Sequence, residues 1–271
     1  MPLRIVQSKQ NGRLKELRRA LAQPGREGNR LAGIEGPNLL VEAVRAHLRI
    51  ECVFAALGSE PLLDGIGLAP DIEILLMPKE LLTSALATET PQLIAALIDP
   101  PDWIWRDILE GSVDGLGETA PLVVALAGLQ DPGNLGTILR SAEAFGASGV
   151  ISLPGTVSAW NPKTVRASAG SVFRVPLLSA TADECFSTLQ EAGVKVLTTT
   201  VREAAALDEA NLSGPVALLI GNEGGGVPAE LAARADGAVT IPCPGLVESL
   251  NASVAASVLL YEASRQRGRT R

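Results

Sequence analysis

Residues 121–153, PLVVALAGLQDPGNLGTILRSAEAFGASGVISL, are the stretch of sequence that decides the fold. Residues 121–129 form an almost continuous apolar run, which is typical of a strand buried in a parallel sheet. Residues 149–153 indicate a second strand. The helix between them is indicated by apolar side chains at helical spacing, which are Leu135, Ile138, Leu139, Ala142 and Phe145. The segment therefore predicts a strand–helix–strand unit with parallel strands.

The same alternation of strand and helix signals continues towards the C-terminus. The pattern predicts strands at 194–200, 215–221 and 238–243, and helices at 162–173, 182–193, 228–235 and 249–267. In the last helix one face carries Leu250, Val254, Val258 and Tyr261. Alternation of this kind predicts an α/β fold, in which helices cover both faces of a parallel sheet.

Upstream of this region the chain has a different organisation. Residues 1–30 are a basic extension, with a helix predicted over 8–23 and ended by Pro24-Gly25. Residues 31–98 predict a smaller α/β domain. Residues 99–120 are rich in proline, glycine and acidic side chains, and we interpret them as a linker that could contain a short helix. The remaining residues, 121–271, form the second domain.

Composition excludes several classes of protein. Of the 271 residues 46% are hydrophobic and 20% are charged, which excludes global disorder. No apolar run approaches the roughly 20 residues that span a bilayer, and the charged N-terminal stretch is unlike a secretory signal, so we expect a soluble cytoplasmic protein. Cys52, Cys185 and Cys243 lack metal-ligand spacing, and the single histidine excludes a two-histidine zinc site. That histidine, His47, is expected to lie on a helix face.

The net charge of −7 is unevenly distributed along the chain. Residues 1–30 contain eight basic and two acidic side chains, and residues 265–271 contain four arginines and no acid. Basic ends on an acidic body can attract phosphate groups locally. The alternative is that both ends are simply solvated and flexible, and the charge pattern alone does not separate these interpretations.

The first polar segment that follows a predicted strand is LQDPGNLGTILRSAEAFGA, residues 129–147. Asn134 is placed to cap the helix, or to reach a ligand. The Arg140 guanidinium could hold a phosphate or stabilise an oxyanion. The alternative for Arg140 is an exposed ion pair with Glu143, three residues further along the helix.

The second segment is LLIGNEGGGVP, residues 218–228, which has four glycines within residues 221–226 and a carboxylate, Glu223, among them. Glycine lets the backbone approach a ligand closely, although a loose turn would also use it. Residues 224–229, GGGVPA, fit a short dinucleotide-binding pattern. Only about 40 residues follow, too few for further strand–helix units of a dinucleotide fold, so this interpretation is disfavoured.

The third segment, residues 241–262, crowds Ser249, Asn251 and Ser253 around the start of the last helix. One of these side chains suffices to cap a helix, so the others are available for a ligand. All three segments follow predicted strands. Because ligands bind at the carboxyl ends of strands in an open parallel sheet, we expect the segments to meet in one crevice.

These three segments resemble, in order and spacing, the three motifs of the SpoU (TrmH-type) branch of the SPOUT RNA methyltransferases. The resemblance covers about residues 121–264. The preceding unit, with the sequence IEGPNLLVEA, is similar to the L30e-like substrate-binding domain that many members carry. Cys243 stands where methionine is common in the family.

The resemblance implies a C-terminal trefoil knot that binds S-adenosylmethionine, and a homodimer with the active site near the subunit interface. It implies cofactor contacts from Gly221, Ile241 and Leu250, with Thr200 lining the same pocket. It implies that the polar active-site residues are Asn134, Arg140, Glu223, Ser249 and Asn251.

The reaction that the resemblance implies is methyl transfer to a ribose 2′-hydroxyl of RNA. We expect Arg140 to stabilise charge on that hydroxyl or its neighbouring phosphate, with Glu223, Asn134 and Ser249 orienting the groups. No metal is required, because the sulfonium donor leaves as a neutral thioether. The additional N-terminal domain favours ribosomal RNA over tRNA. A catalytically silent RNA-binding assembly factor with the same fold is the alternative.

Overall fold

A computed structural model describes residues 2–22, 30–86, 88, 90–110, 120–200, 204–247 and 249–268. Three predictions fall wholly or partly outside these ranges. They are the helix end at Pro24-Gly25, residues 111–119 of the 99–120 linker, and the tail arginines 269 and 271.

The chain divides into two compact units. The first contains the chain up to Asp102 together with Ser158–Phe173, and the second contains Trp103–Val157 and the chain from Arg174 onward. Residues 158–173, which the sequence analysis assigned to the second domain, join the first unit because the helix Pro162–Ser168 contacts the strand Ala32–Glu35.

The described part of the first unit contains one mixed sheet and its helices. In chain order the elements before residue 100 are β1 (Leu3–Ile5), α1 (Gly12–Ala22), β2 (Ala32–Glu35), α2 (Pro37–Arg45), β3 (Arg49–Ala56), β4 (Ile74–Met77), α3 (Lys79–Thr83) and β5 (Ile94–Asp99). The strand order is β1-β4-β3-β5-β2, and β5 runs antiparallel to both of its neighbours. The resemblance of this unit to an L30e-like domain stays a prediction.

Helix α1 shows how the basic N-terminal stretch folds. It begins at Gly12 rather than at residue 8, because Asn11 Oδ1 accepts the Leu14 N–H at 3.1 Å and so caps the first turn. Leu14, Leu17 and Leu21 are buried in the core of the first unit. Its basic side chains therefore occupy the opposite, more exposed side of an amphipathic helix.

The histidine prediction is wrong. Helix α2 ends at Arg45, and His47 lies in the following turn with φ +54°, in the left-handed region that ends many helices. It therefore does not lie on a helix face.

The second unit is built around a seven-stranded sheet. Its elements, with α6 of the first unit in its place in the chain, are α4 (Trp105–Leu109), β6 (Leu122–Ala127), α5 (Pro132–Ala144), β7 (Gly149–Ser152), α6 (Pro162–Ser168), β8 (Leu177–Ser179), α7 (Ala182–Glu191), β9 (Lys195–Thr199), β10 (Ala205–Ala206), β11 (Val216–Gly221), α8 (Ala229–Ala232), β12 (Gly237–Thr240) and α9 (Ala252–Gln266). The strand order is β10-β12-β9-β11-β6-β7-β8.

Every pairing between these seven strands is parallel. Alternate β6 residues, Val123, Ala125 and Ala127, join a core cluster with Cys185 and Leu189 of α7. Helices α5 and α9 contact β7 and β11 and pack against each other. The predicted α/β fold with a helix-covered parallel sheet is confirmed, and the trefoil knot stays a prediction.

One predicted helix is shorter than expected. The pattern over 162–173 gives α6 only as far as Ser168, because Ala169 adopts φ +51° and Gly170 φ +93°. Two consecutive left-handed residues end a helix, and a separate 3-10 turn, Ser171–Phe173, follows.

The end of α9 is fastened to distant parts of the second unit. Arg267 donates hydrogen bonds to backbone carbonyls on two segments, which are those of Ala120, Pro121, Leu212 and Gly214. Gln266 also forms hydrogen bonds with the segment that contains Leu212. Its Oε1 accepts the Leu212 N–H at 2.7 Å, and its Nε2 donates to the Ala210 carbonyl. The C-terminal helix is therefore locked to the start of β6.

Candidate active site

The sheet order brings the predicted segments together at one edge. Strands β12, β9, β11 and β6 are consecutive neighbours, so their carboxyl ends lie side by side within about 15 Å at the usual strand spacing. Ile241 follows β12, Thr200 follows β9, and Gly221 ends β11. The turn from Gly128 to α5 follows β6. The predicted crevice at the carboxyl edge thus has a geometric basis.

The start of α5 differs from the prediction in one detail. Asp131, not Asn134, is the N-cap: its Oδ1 accepts the Asn134 backbone N–H at 2.8 Å, and Pro132 occupies the first helical position. Asn134 lies inside the first turn, which leaves its side chain free of the capping role. The Asp-Pro pair was the sequence signal for this cap.

The glycine loop, residues 221–226, folds back on itself. Asn222 and Gly226 exchange two backbone hydrogen bonds of 3.1 Å. A side chain at Gly221 would overlap the backbone of Gly226 and Val227, so this position requires glycine for the loop itself. Asn222 Oδ1 also accepts the N–H groups of Gly224 and Gly225. Sequence analysis missed this role of Asn222, whose signal is an asparagine that precedes a glycine run.

Glu223 projects from the glycine loop and joins it to the start of α5. Its Oε1 accepts Asn134 Nδ2 at 2.8 Å and the Asp131 N–H at 3.2 Å, and its Oε2 accepts the Gln130 N–H at 3.5 Å. Burial would raise the pKa of Glu223, but the hydrogen bonds from Asn134 and the backbone hold this pKa below its usual value. The carboxylate is therefore ionised and poorly suited to act as a base.

Arg140 is exposed on α5 and available to a ligand. It has no hydrogen bond or ion pair to any residue that the structure describes, so none of these residues neutralises its charge. The alternative pair with Glu143 is not formed, because Glu143 binds Arg174 instead. The structure does not bring Arg140 into contact with Asn134 or Glu223.

At the start of α9, Asn251 is the N-cap. Its Oδ1 accepts the Ser253 N–H (2.9 Å), the Ser253 hydroxyl (2.7 Å) and the Val254 N–H (3.4 Å). Ser249 is exposed two residues before the cap and has no partner among the residues described. Ser257, one turn after Ser253, bonds Ser141 of α5 at 2.7 Å, so the helices that carry Arg140 and Asn251 are joined.

The candidate cofactor residues fit a nucleoside without phosphates. Ile241 and Leu250 are half-buried, and most of the described residues between them are exposed. The half-buried Thr200 donates its N–H to the Val239 carbonyl. The buried Thr198 hydroxyl has no hydrogen-bond partner within the described ranges. Backbone, hydroxyl and aliphatic groups suit the adenosine part of S-adenosylmethionine, which has no phosphate that would require basic side chains.

Together these residues form an exposed, polar surface with opposite charges in separate places. The Asn134–Glu223 pair provides fixed hydrogen-bonding groups, and Arg140 provides an unused guanidinium. Such a set can orient a hydroxyl and stabilise negative charge that develops on it.

Comparison with known proteins identifies the family. The sequence pattern of the SpoU rRNA Methylase family matches residues 121–261. The chain is 31% identical to a Bacillus subtilis (strain 168) protein named 23S rRNA (guanosine(2553)-2′-O)-methyltransferase RlmP, over 96% of this chain and 98% of that one.

Solved structures give the same result. An AdoMet-bound rRNA methyltransferase from Sinorhizobium meliloti has a TM-score of 0.83 and 30% identity, covering 97% of this chain and 98% of its own. The SpoU methyltransferase AviRb from Streptomyces viridochromogenes, in complex with AdoMet, has a TM-score of 0.79 and 26% identity, covering 96% and 100%. The family predicted from the three motifs is confirmed: this chain belongs to the SpoU rRNA Methylase family.

Proposed function

We propose that this protein transfers the methyl group of S-adenosylmethionine to a ribose 2′-hydroxyl of RNA, and that the RNA is ribosomal. The observation that carries the proposal is similarity along almost the whole chain, first unit included, to a 23S rRNA 2′-O-methyltransferase. AdoMet in two similar structures supports the choice of methyl donor. tRNA is the second candidate, because some relatives carry the broader name tRNA/rRNA methyltransferase.

Methyl transfer requires this chain to orient the reacting groups and to stabilise the charge that develops on the hydroxyl oxygen. Bound S-adenosylmethionine supplies a methyl group activated by its sulfonium. A ribose hydroxyl is a weak nucleophile. As its oxygen bonds to the methyl carbon, the donor's sulfur leaves as a neutral thioether and the hydroxyl proton passes to solvent water, so negative charge on the oxygen must be stabilised. Arg140 is permanently charged and does this directly or through the adjacent phosphate. Asn134, Glu223, Ser249 and Asn251 orient the reacting groups, and Gly221, Ile241, Leu250 and Thr200 hold the donor.

Some of the basic side chains of the first unit are paired with acidic side chains, and others are not. Arg13 pairs with Glu16, and Arg30 with Asp99. Lys15 and Arg19 of α1 are exposed and have no ion-pair partner in the described residues. We infer that these two cations contact the RNA backbone, and that RNA affinity therefore falls as salt concentration rises.

A homodimer is supported by apolar side chains on the surface of α9. Val254, Val258 and Tyr261, which the sequence placed on one face, are 48%, 36% and 50% exposed. Exposed apolar stripes of this kind mark protein interfaces. The partner is a second copy of this chain, and sedimentation analysis of the wild type and of Val258→Asp tests it: loss of the dimer is expected in the variant.

The cellular location that fits this function is the cytoplasm, where ribosomal RNA is found. Among the helices of the described residues, none has the length and apolar character needed to cross a bilayer.

The decisive experiment maps ribose methylation across total RNA from cells with and without the gene. One ribosomal 2′-O-methyl group should disappear on deletion and return with the wild-type gene. A tRNA site would select the second candidate. If no methyl group changes, and purified protein transfers no labelled methyl group to bulk RNA, a catalytically silent assembly factor replaces the proposed function.

A further inference from the structure

The side-chain amide of Asn134 has a fixed orientation, because it faces a group that can only accept. Asn134 Nδ2 donates to Glu223 Oε1 at 2.8 Å. An ionised carboxylate has no hydrogen to donate, so the nitrogen end of the amide must face it. Asn134 Oδ1 is the end that is left over, and it has no hydrogen-bond partner in the part of the chain that the structure describes.

Glu223 is held in place independently of Asn134. The backbone N–H groups of Gln130 and Asp131 also donate to its carboxylate, from the turn that leads into α5. These donors favour the ionised form, as the lowered pKa of Glu223 indicates. An ionised, anchored carboxylate keeps the neighbouring amide from turning round.

The chemical class of the ligand follows from the atom that is presented. Asn134 Oδ1 is a neutral acceptor, so it requires a donor. The negative charge of Glu223 lies one hydrogen bond away, which disfavours a phosphate or carboxylate at this position. Sugar hydroxyls are the neutral donors that both RNA and the methyl donor bring to this edge of the sheet.

We propose that Glu223 is a positioning residue that turns the Asn134 amide so that Oδ1 accepts a hydrogen bond from a sugar hydroxyl. The inference rests on the proposed function. If the hydroxyl is the ribose 2′-hydroxyl of RNA, its hydrogen is directed to Asn134 and an oxygen lone pair is left towards the methyl group. If it belongs to the ribose of the methyl donor, the same contact orients the donor. The amide remains neutral in either case and takes up no proton.

An exchange of the two side-chain types tests the orientation. Glu223→Gln offers Asn134 both a donor and an acceptor, so the amide can turn; we expect kcat to fall about tenfold or more. Asn134→Asp sets two carboxylates against each other and should be at least as damaging. The double variant N134D/E223Q restores one donor facing one acceptor and leaves an acceptor oxygen over. Its kcat should recover to within about tenfold of the wild type.

Controls separate positioning from folding. Thermal unfolding reports the fold of each variant. Glu230→Gln, which neutralises an exposed carboxylate in α8, should leave kcat unchanged. Asn134→Ala supplies a second test if the exchanged protein does not fold. Because Asn134 and Glu223 act through the same amide, the losses in Asn134→Ala and Glu223→Gln should not add in the combined variant.

Calorimetry with S-adenosylhomocysteine distinguishes the two sources of the hydroxyl. If the hydroxyl belongs to the methyl donor, Glu223→Gln weakens binding about tenfold and the exchange restores it. If it belongs to RNA, binding of S-adenosylhomocysteine is unchanged and only the turnover of RNA responds, in kcat and in kcat/KM. Two results with an active wild type would overturn the inference. One is a folded N134D/E223Q protein whose kcat is no higher than that of the less active single variant. The other is that the losses in Asn134→Ala and Glu223→Gln add in the combined variant. An inactive wild type would instead refute the proposed function.

Discussion

Replacing Gly221 with alanine should open the glycine loop. The new methyl group would overlap the backbone of Gly226 and Val227, and neither backbone can rotate away as a flexible side chain could. Relief of the overlap requires breaking the two hydrogen bonds of 3.1 Å between Asn222 and Gly226. Two such bonds contribute about 2 kcal/mol, and overpacking costs about 1–3 kcal/mol more.

The expected loss is thus about 4 kcal/mol in the free energy of unfolding, or roughly 10 °C in Tm for a chain of this size. Gly224→Ala is the matched control in the same loop, because its methyl group would only reach Asn222 Oδ1 at 3.9 Å. Calorimetric unfolding measures the loss of stability, and titration with S-adenosylhomocysteine measures whether cofactor binding is also lost. If Gly221→Ala is as stable as Gly224→Ala and binds the cofactor normally, the derived loop geometry is wrong.

Three further predictions concern charged groups. Arg140→Ala should lose methyl transfer by about 100-fold or more while S-adenosylhomocysteine affinity is kept, because the role proposed for the guanidinium is on the hydroxyl and not on the donor; normal turnover would remove Arg140 from the mechanism. Arg267→Ala should lower the free energy of unfolding, measured by urea titration, by about 2–4 kcal/mol, because hydrogen bonds to four carbonyls are lost. The control Arg106→Ala removes only an exposed ion pair with Glu110 and should change this free energy by well under about 1 kcal/mol. Hydrogen bonds from Arg265 and Gln266 lower the pKa of Glu262 to about 2. The contribution of Glu262 to stability is therefore present above the usual glutamate pKa and is lost as pH falls towards 2. Glu262→Gln should remove this acid dependence, and an unchanged pH profile of unfolding would contradict the prediction.

Much of the fold could be predicted because it depends on local patterns. The continuous apolar runs that became β6 and β11 are buried along their whole length, as expected for central parallel strands. Short strands contain too few residues for a recognisable hydrophobic pattern: β1, β8 and β10 contain two or three residues each. A periodicity argument needs several residues, so such strands are visible only through their pairing partners.

The candidate site could be predicted as a set of residues but not as a set of contacts. The three motifs named Asn134 and Glu223, which are 89 residues apart in the sequence, but only strand order makes them neighbours. The choice of Asp131 over Asn134 as the cap depended on the backbone geometry of a single turn. Glu143 could pair with Arg140 or with Arg174. The short distance along the chain favoured Arg140, but in the fold Glu143 binds Arg174.

The anchoring of Arg267 affects when the second unit becomes complete during synthesis. The carbonyl groups that it binds belong to segments translated as many as 147 residues earlier. Their carbonyl groups lack this partner until the final helix has emerged from the ribosome, and the N-cap of that same helix, Asn251, is one of the candidate site residues. A nascent chain that stops short of α9 and its N-cap therefore carries the glycine loop and Arg140 but lacks Asn251 of the proposed site.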